Sequence, residues 1–132
     1  MILVDTSVWV DFFNPVPTPQ ALELYRLIAD ADQPIALAGI VVTEILQGLR
    51  RDADIIEHFL RQWTLLEPTG FDTYAQAGAI FRVARSKGLT VTTTDTLIAA
   101  IALSHHAQLF TSDNDFTPLA RLTGLRLYRP PQ

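Results

Sequence analysis

Met1-Ile2-Leu3-Val4-Asp5-Thr6-Ser7 decides the fold class. An apolar run meets an acid and two hydroxyls with no glycine or proline between them. Ile2–Val4 therefore reads as a short buried strand whose tip carries Asp5. A carboxylate at the tip of an inner strand is reachable by solvent yet held by the sheet, as a metal ligand must be. Several such acids on separate elements can meet where the strands of an open α/β sheet end.

The rest of the chain alternates short strands with helices. Thr18-Pro19 starts a helix, with threonine at the cap and proline at the first helical position. The stripe Leu24, Leu27, Ile28, Ala31 continues it until Pro34, after which Ile35–Ala38 reads as a strand. Val42, Ile45, Leu46 and Leu49 mark one amphipathic helix, and Ile56, Phe59, Leu60 and Trp63 another. Leu65-Leu66 is a strand stopped by Pro68 and Gly70. Asp72 then caps a long helix bearing Ala77, Ile80, Phe81 and Ala84, closed by Gly88. Thr94 or Asp95 starts the segment Leu97–Leu103, which is apolar on every side and so is expected to be the buried central helix. Leu109–Thr111 is a strand, Thr117-Pro118 opens a short helix, and Leu125–Tyr128 is a last strand. The expected architecture is a three-layer α/β/α domain over residues 1–132, with about five parallel strands flanked by helices.

Composition narrows the chemistry. The 132 residues can bury a sizeable core. Cysteine is absent, which excludes disulfides, thiolate zinc sites and cysteine nucleophiles. No apolar stretch reaches the ~18 residues of a membrane span, and no basic lead precedes the first apolar run, so a cytoplasmic protein is expected. Fourteen acids face ten bases, for a net charge of −4. Setting aside Asp5, Glu44, Asp95 and Asp113 leaves equal numbers, so the excess acidity matches a local acidic site on a near-neutral surface. Nine of the ten bases are arginine, the better phosphate clamp, with Arg50-Arg51 and Arg82/Arg85/Lys87 the densest groups. As solvated helix faces they would be equally ordinary.

Asp5, Glu44, Asp95 and Asp113 lie beside expected strand ends or helix starts. Two unit charges ~5 Å apart repel by ~3 kcal/mol at an effective dielectric near 20. Four converging carboxylates therefore call for a divalent cation, unless some of them stay protonated, and an all-oxygen set favours magnesium or manganese. Each acid also has a plainer use. Asp5 could cap the following turn; Glu44 sits opposite its helix's apolar stripe and faces either solvent or a cleft. Asp95 suits a helix N-terminus, and Asp113 with Asp115 suits a turn. Thr6 and Ser7 could be caps or could orient Asp5. His105-His106 end an apolar helix and read as a packed helix end rather than as ligands. Trp9, Phe12 and Phe13 read as core, or else as a docking surface. No GxxxxGK[ST] or GxGxxG motif supports a nucleotide cofactor.

Taken in order, Asp5-Thr6-Ser7 after an apolar strand, Glu44 in Val42-Thr43-Glu44-Ile45, Asp95 in Thr94-Asp95-Thr96-Leu97-Ile98-Ala99-Ala100, and Thr111-Ser112-Asp113-Asn114-Asp115-Phe116 resemble the PIN domain. The similarity is greatest to the VapC toxin ribonucleases of toxin–antitoxin pairs and covers essentially the whole chain. It implies that Asp5, Glu44, Asp95 and Asp113, with Asp115 as an optional fifth, bind magnesium or manganese and hydrolyse RNA phosphodiesters, with Thr6 or Ser7 behind them. It further implies homodimers, a VapB-type antitoxin that covers the site, a cytoplasmic setting and structured RNA substrates, often transfer RNA. Two other classes are weighed against it. A phosphatase using Asp5 as a covalent nucleophile would carry a second aspartate two residues on, where this chain has Ser7. A non-catalytic RNA-binding module of the same fold would have lost some of the acids.

Overall fold

The computed structural model describes residues 1–30 and 34–131. Four parallel strands form the sheet: β1 (Ile2–Val4), β2 (Ile35–Ala38), β3 (Thr64–Leu66) and β4 (Gln108–Phe110), in the order β3-β2-β1-β4. Ile2 pairs with Ile35 on one side and Gln108 on the other, while Leu37 pairs with Leu65. Seven helices surround it: α1 (Thr6–Phe13), α2 (Pro19–Ala29), α3 (Gly39–Gln47), α4 (Ala53–Leu60), α5 (Phe71–Ser86), α6 (Thr93–Ser104) and α7 (Phe116–Thr123). Every residue of β1 and β2 is buried, as inner strands covered on both faces require.

The chain builds outward from β1 through β2 to β3, then crosses back to place β4 on β1's other side. Strand order reverses between β1 and β4, and ligand crevices of open α/β sheets form at that reversal, outside the carboxyl ends. Asp5 follows β1 and Thr111 follows β4, so both stand at that point. The Asp5 amide extends the ladder by donating to the Phe110 carbonyl at 2.8 Å.

The sheet has four strands where the sequence suggests about five. Leu125–Tyr128 lies beside β4 but makes a single parallel bridge, Leu109 to Leu127. Leu109 donates to Arg126 O and Tyr128 to Leu109 O, and the ladder stops there. Pro130 and Pro131 have no N–H to continue it. The segment is fastened by side chains instead. The Tyr128 hydroxyl donates to Glu23 Oε2 at 2.6 Å, and Arg26 grips the same carboxylate. Glu23, on the buried face of α2, thus becomes a charge at the core's edge with a cation and a phenol satisfying it.

Element ends differ from expectation by one to three residues. Thr18 does cap α2, its Oγ1 accepting from the Ala21 amide. Ala31, expected on the α2 stripe, lies outside the described residues. Leu49 and Trp63 fall just past α3 and α4. Gly70, not Asp72, precedes α5, and Asp72 sits in its first turn beside the positive end of the dipole. Asp115 precedes α7, one residue before Phe116 and ahead of Thr117-Pro118. Helix α6 is the central one, with Ile98 through Ala102 buried. Among the described residues no helix is long and apolar enough to cross a membrane.

Candidate active site

Asp5 is only 6% exposed, and both side-chain donors that reach it fall on one oxygen. Ser7 Oγ donates to Asp5 Oδ2 at 2.9 Å and Thr111 Oγ1 donates to the same atom at 2.8 Å. Oδ1 is left without a side-chain partner. The two hydroxyls lie 3.2 Å apart, so β1 and β4 are stitched together at the carboxylate. Burial pushes the Asp5 carboxyl above its ordinary value; the hydrogen bonds from Thr111 and Ser7, and more weakly from the Thr6 and Ser7 amides, pull against that rise.

The network spreads from these hydroxyls. Ser7 Oγ accepts from the Ser112 amide at 3.0 Å, and Thr111 Oγ1 accepts from the Asp113 amide at 3.0 Å. The Asp113 carboxylate then accepts from the Asp115 amide at 2.9 Å, which shapes the entry to α7. Asp113 is half-buried beside Thr111, whereas Asp115 is exposed and joins through its backbone alone. On the other flank, Thr6 Oγ1 donates to Glu44 Oε1 at 2.8 Å. That hydrogen bond turns the half-buried Glu44 side chain onto α1.

Asp95 stands apart from this network. Its carboxylate accepts from the Thr92 amide while Thr92 Oγ1 accepts from the Asp95 amide, a reciprocal capping box that starts α6. The three residues between α6 and β4 turn the chain back, so α6 runs against the strand direction. Its N-terminus therefore points toward the sheet's carboxyl edge.

As the side chains stand, no three Asp, Glu or His groups among the described residues converge closely enough to enclose an ion. Glu44 is turned onto Thr6 and Asp95 onto Thr92. The donor set nevertheless suits a hard dication, for two reasons. It is entirely oxygen, and on the buried aspartate no side-chain donor occupies Oδ1. Moreover, the described ion pairs engage Glu23, Asp30 and Glu57 only, so none of Asp5, Glu44, Asp95 or Asp113 has a cationic side chain to balance it.

Thr111 is the functional group that the sequence pattern hides, since it reads there as the last residue of a strand. The available signal is its position: a hydroxyl directly after β4, as Thr6 and Ser7 follow Asp5 at the end of β1. Ser112 Oγ is buried without a partner beside this network. His105 ends α6 with Nε2 2.7 Å from the Glu67 carbonyl, the packed helix-end role expected of it. Trp9 is wholly buried and packs on Phe12, Phe13 and Trp63 at centroid separations of 5.2–5.7 Å, so the aromatic group is core at its centre.

Comparison with known proteins agrees with this fold. The pattern of the PIN domain matches residues 2–122. A VapC ribonuclease of Mycobacterium bovis and ribonuclease VapC11 of Mycobacterium tuberculosis are each 35% identical over 129 residues, covering 96% of both chains. Among solved structures, VapBC2 of Rickettsia felis bound to a DNA fragment from its promoter superposes with a TM-score of 0.77 at 24% identity, covering 97% of this chain and 98% of the other. VapC20 of Mycobacterium tuberculosis, described as a sarcin–ricin-loop-cleaving toxin, gives 0.72 at 21% identity over 98% and 100%. At those identities the structures establish the fold.

Proposed function

The chain belongs to the PIN-domain family, and from its pinned, unbalanced carboxylates we propose that it is a magnesium- or manganese-dependent endoribonuclease, the toxin of a VapBC-type pair. The observation that carries this reading is Asp5: buried, raised in pKa, with both side-chain donors on one oxygen, and in none of the ion pairs of the described residues. A full-length relative named as a ribonuclease supports the reaction class.

Asp5, Glu44, Asp95 and Asp113 would hold the ion, which when bound supplies positive charge against the charge developing on phosphate oxygens. Ser7 and Thr111 fix the Asp5 rotamer so that Oδ1 is presented to the crevice. Thr6 does the same for Glu44. One carboxylate of the set orients the attacking water and accepts its proton. The P–O bond opposite the incoming water breaks, and the departing oxygen leaves with a proton from solvent. With no cation present, the carboxylates repel the phosphate to be cut, so its placement there and its cleavage both require the metal.

The partner is a VapB-type antitoxin, a reading supported by neighbours crystallised as VapBC and FitAB complexes, and the setting is cytoplasmic, with a homodimer as the working unit. The test is cleavage of total RNA by the purified chain with magnesium, with manganese and with chelator. Cleavage by wild type, lost with chelator and in folded Asp5→Asn and Asp95→Asn variants, is expected. Wild-type cleavage by both variants would rule the assignment out.

A further inference from the structure

A polar cleft of about 550 Å³ lies away from the carboxylates, lined among others by Phe13, Asn14, Leu49, Arg50, Arg51 and Asp52. Helices α1 and α3 both leave the carboxyl edge of the sheet and pack side by side. Near their starts Thr6 touches Glu44. Seven residues further along α1, ~10 Å at the helical rise, Phe13 shares the cleft with Gly48 and Leu49 at the end of α3. The cleft is thus one helix length from the candidate catalytic carboxylates.

Its arginines are uncommitted. Among the described residues Arg26 is tied to Glu23, Arg61 to Glu57, Arg126 to the His106 carbonyl and Arg85 to the Phe81 ring, while Arg82, Arg121 and Arg129 are as unengaged as this pair but line no cleft with it. Arg50 and Arg51 are exposed and enter none of the ion pairs, hydrogen bonds or ring contacts of the described residues. Asp52 is the single carboxylate lining the cleft, so two guanidinium groups outweigh it in a chain whose net charge is −4. Beside them Phe13 is half-buried and braced by Trp9, stacked at 5.6 Å, and by the edges of Phe12 and Phe59. A fixed aromatic ring next to a paired arginine fork is the combination that holds a nucleotide of a single strand: the ring takes a base face and the fork takes backbone phosphate oxygens.

We propose that this cleft is a subsite for the RNA substrate, gripping the strand a helix length away from the candidate carboxylates. The proposal rests on the ribonuclease reading and adds where the strand is held. An acidic centre repels phosphate, so a separate cationic anchor lets the strand bind while the carboxylates remain free for the metal.

The test titrates a fluorescein-labelled single-stranded oligoribonucleotide with the Asp5→Asn chain, with and without Arg50→Ala/Arg51→Ala, following anisotropy in magnesium at rising salt. The double substitution is expected to weaken binding ~10-fold and to flatten the log–log salt dependence by ~0.7 for each phosphate that is no longer neutralised. With Asp5 restored, kcat/KM on the same strand falls by a similar factor, Arg50→Lys/Arg51→Lys recovers part of it, and Lys87→Ala changes nothing. Unchanged affinity and salt slope in a chain that still cuts RNA overturn the subsite alone. A wild-type chain that neither binds nor cuts RNA overturns the subsite together with the ribonuclease reading.

Discussion

Replacing Thr111 with valine removes one hydroxyl at nearly constant volume, from the atom on which the site's geometry turns. Thr111 Oγ1 donates to Asp5 Oδ2 at 2.8 Å and accepts from the Asp113 amide at 3.0 Å. A hydrogen bond to a charged group contributes ~1.5–3 kcal/mol and a neutral one nearer 1 kcal/mol. Where Asp5 is ionised, which its raised pKa moves to higher pH, the variant should lose ~2–3 kcal/mol. With an m-value of ~2 kcal/mol per molar urea, the midpoint falls by ~1–1.5 M. Because Thr111 is the largest influence lowering the Asp5 pKa, its loss also drives that pKa further up. The penalty must therefore shrink in acid, where Asp5 is neutral in both proteins. Urea titrations followed by circular dichroism, in chelator at neutral and mildly acidic pH, measure both effects, and Thr111→Ser should restore most of the loss. A midpoint shift below about 0.3 M at neutral pH, or an equal shift at both, would refute the reasoning, since it would mean that the hydroxyl does not bear on an ionised Asp5.

The same electrostatics sets further expectations. A carboxyl whose pKa is raised on folding adds stability that is present below its unfolded pKa and is lost as pH rises through the folded one. Asp5→Asn should therefore have a higher metal-free Tm than wild type at neutral pH while lacking RNA cleavage, and a lower Tm would show that the ionised carboxylate is not strained by burial. Glu23 has the opposite sign: Arg26 first, and Tyr128 after it, hold its carboxyl below the usual range. Wild type should thus exceed Glu23→Gln in Tm at neutral pH and lose that advantage as pH falls through the lowered Glu23 pKa, and parallel Tm profiles would contradict it. Leu109 is fully buried in β4 between β1 and the Leu127 bridge, so Leu109→Ala should cost ~3–5 kcal/mol by urea titration and weaken RNA cleavage through the displaced Thr111.

Most of the fold is legible in the sequence because hydrophobic pattern dictates it. Ile2–Val4 and Ile35–Ala38 are apolar throughout and form the buried inner strands; Leu97–Leu103 is apolar on all sides and forms the buried helix. The fifth strand is misleading for a reason no local pattern carries. Leu125 and Leu127 alternate like strand residues, but the segment is secured by Glu23, which lies 105 positions from Tyr128, rather than by a ladder. At the site, Asp5 is readable from its strand-tip position, while the roles of Thr111 and Ser7 depend on β1 and β4 being neighbours, a fact of topology. Glu44 is placed only by its hydrogen bond with Thr6 across two helices. Asp95 shows the reverse limit, since a capping box accounts for its position without reference to any ligand.

Anomalous diffraction from crystals grown with manganese bears most directly on whether these carboxylates are a metal site. A peak ~2.1 Å from Asp5 Oδ1, with Asp113 and either Asp95 or Glu44 swung toward it, is the predicted result. A difference map with no peak beside Asp5 at saturating manganese, or with its strongest peak on another face of the molecule, would contradict it.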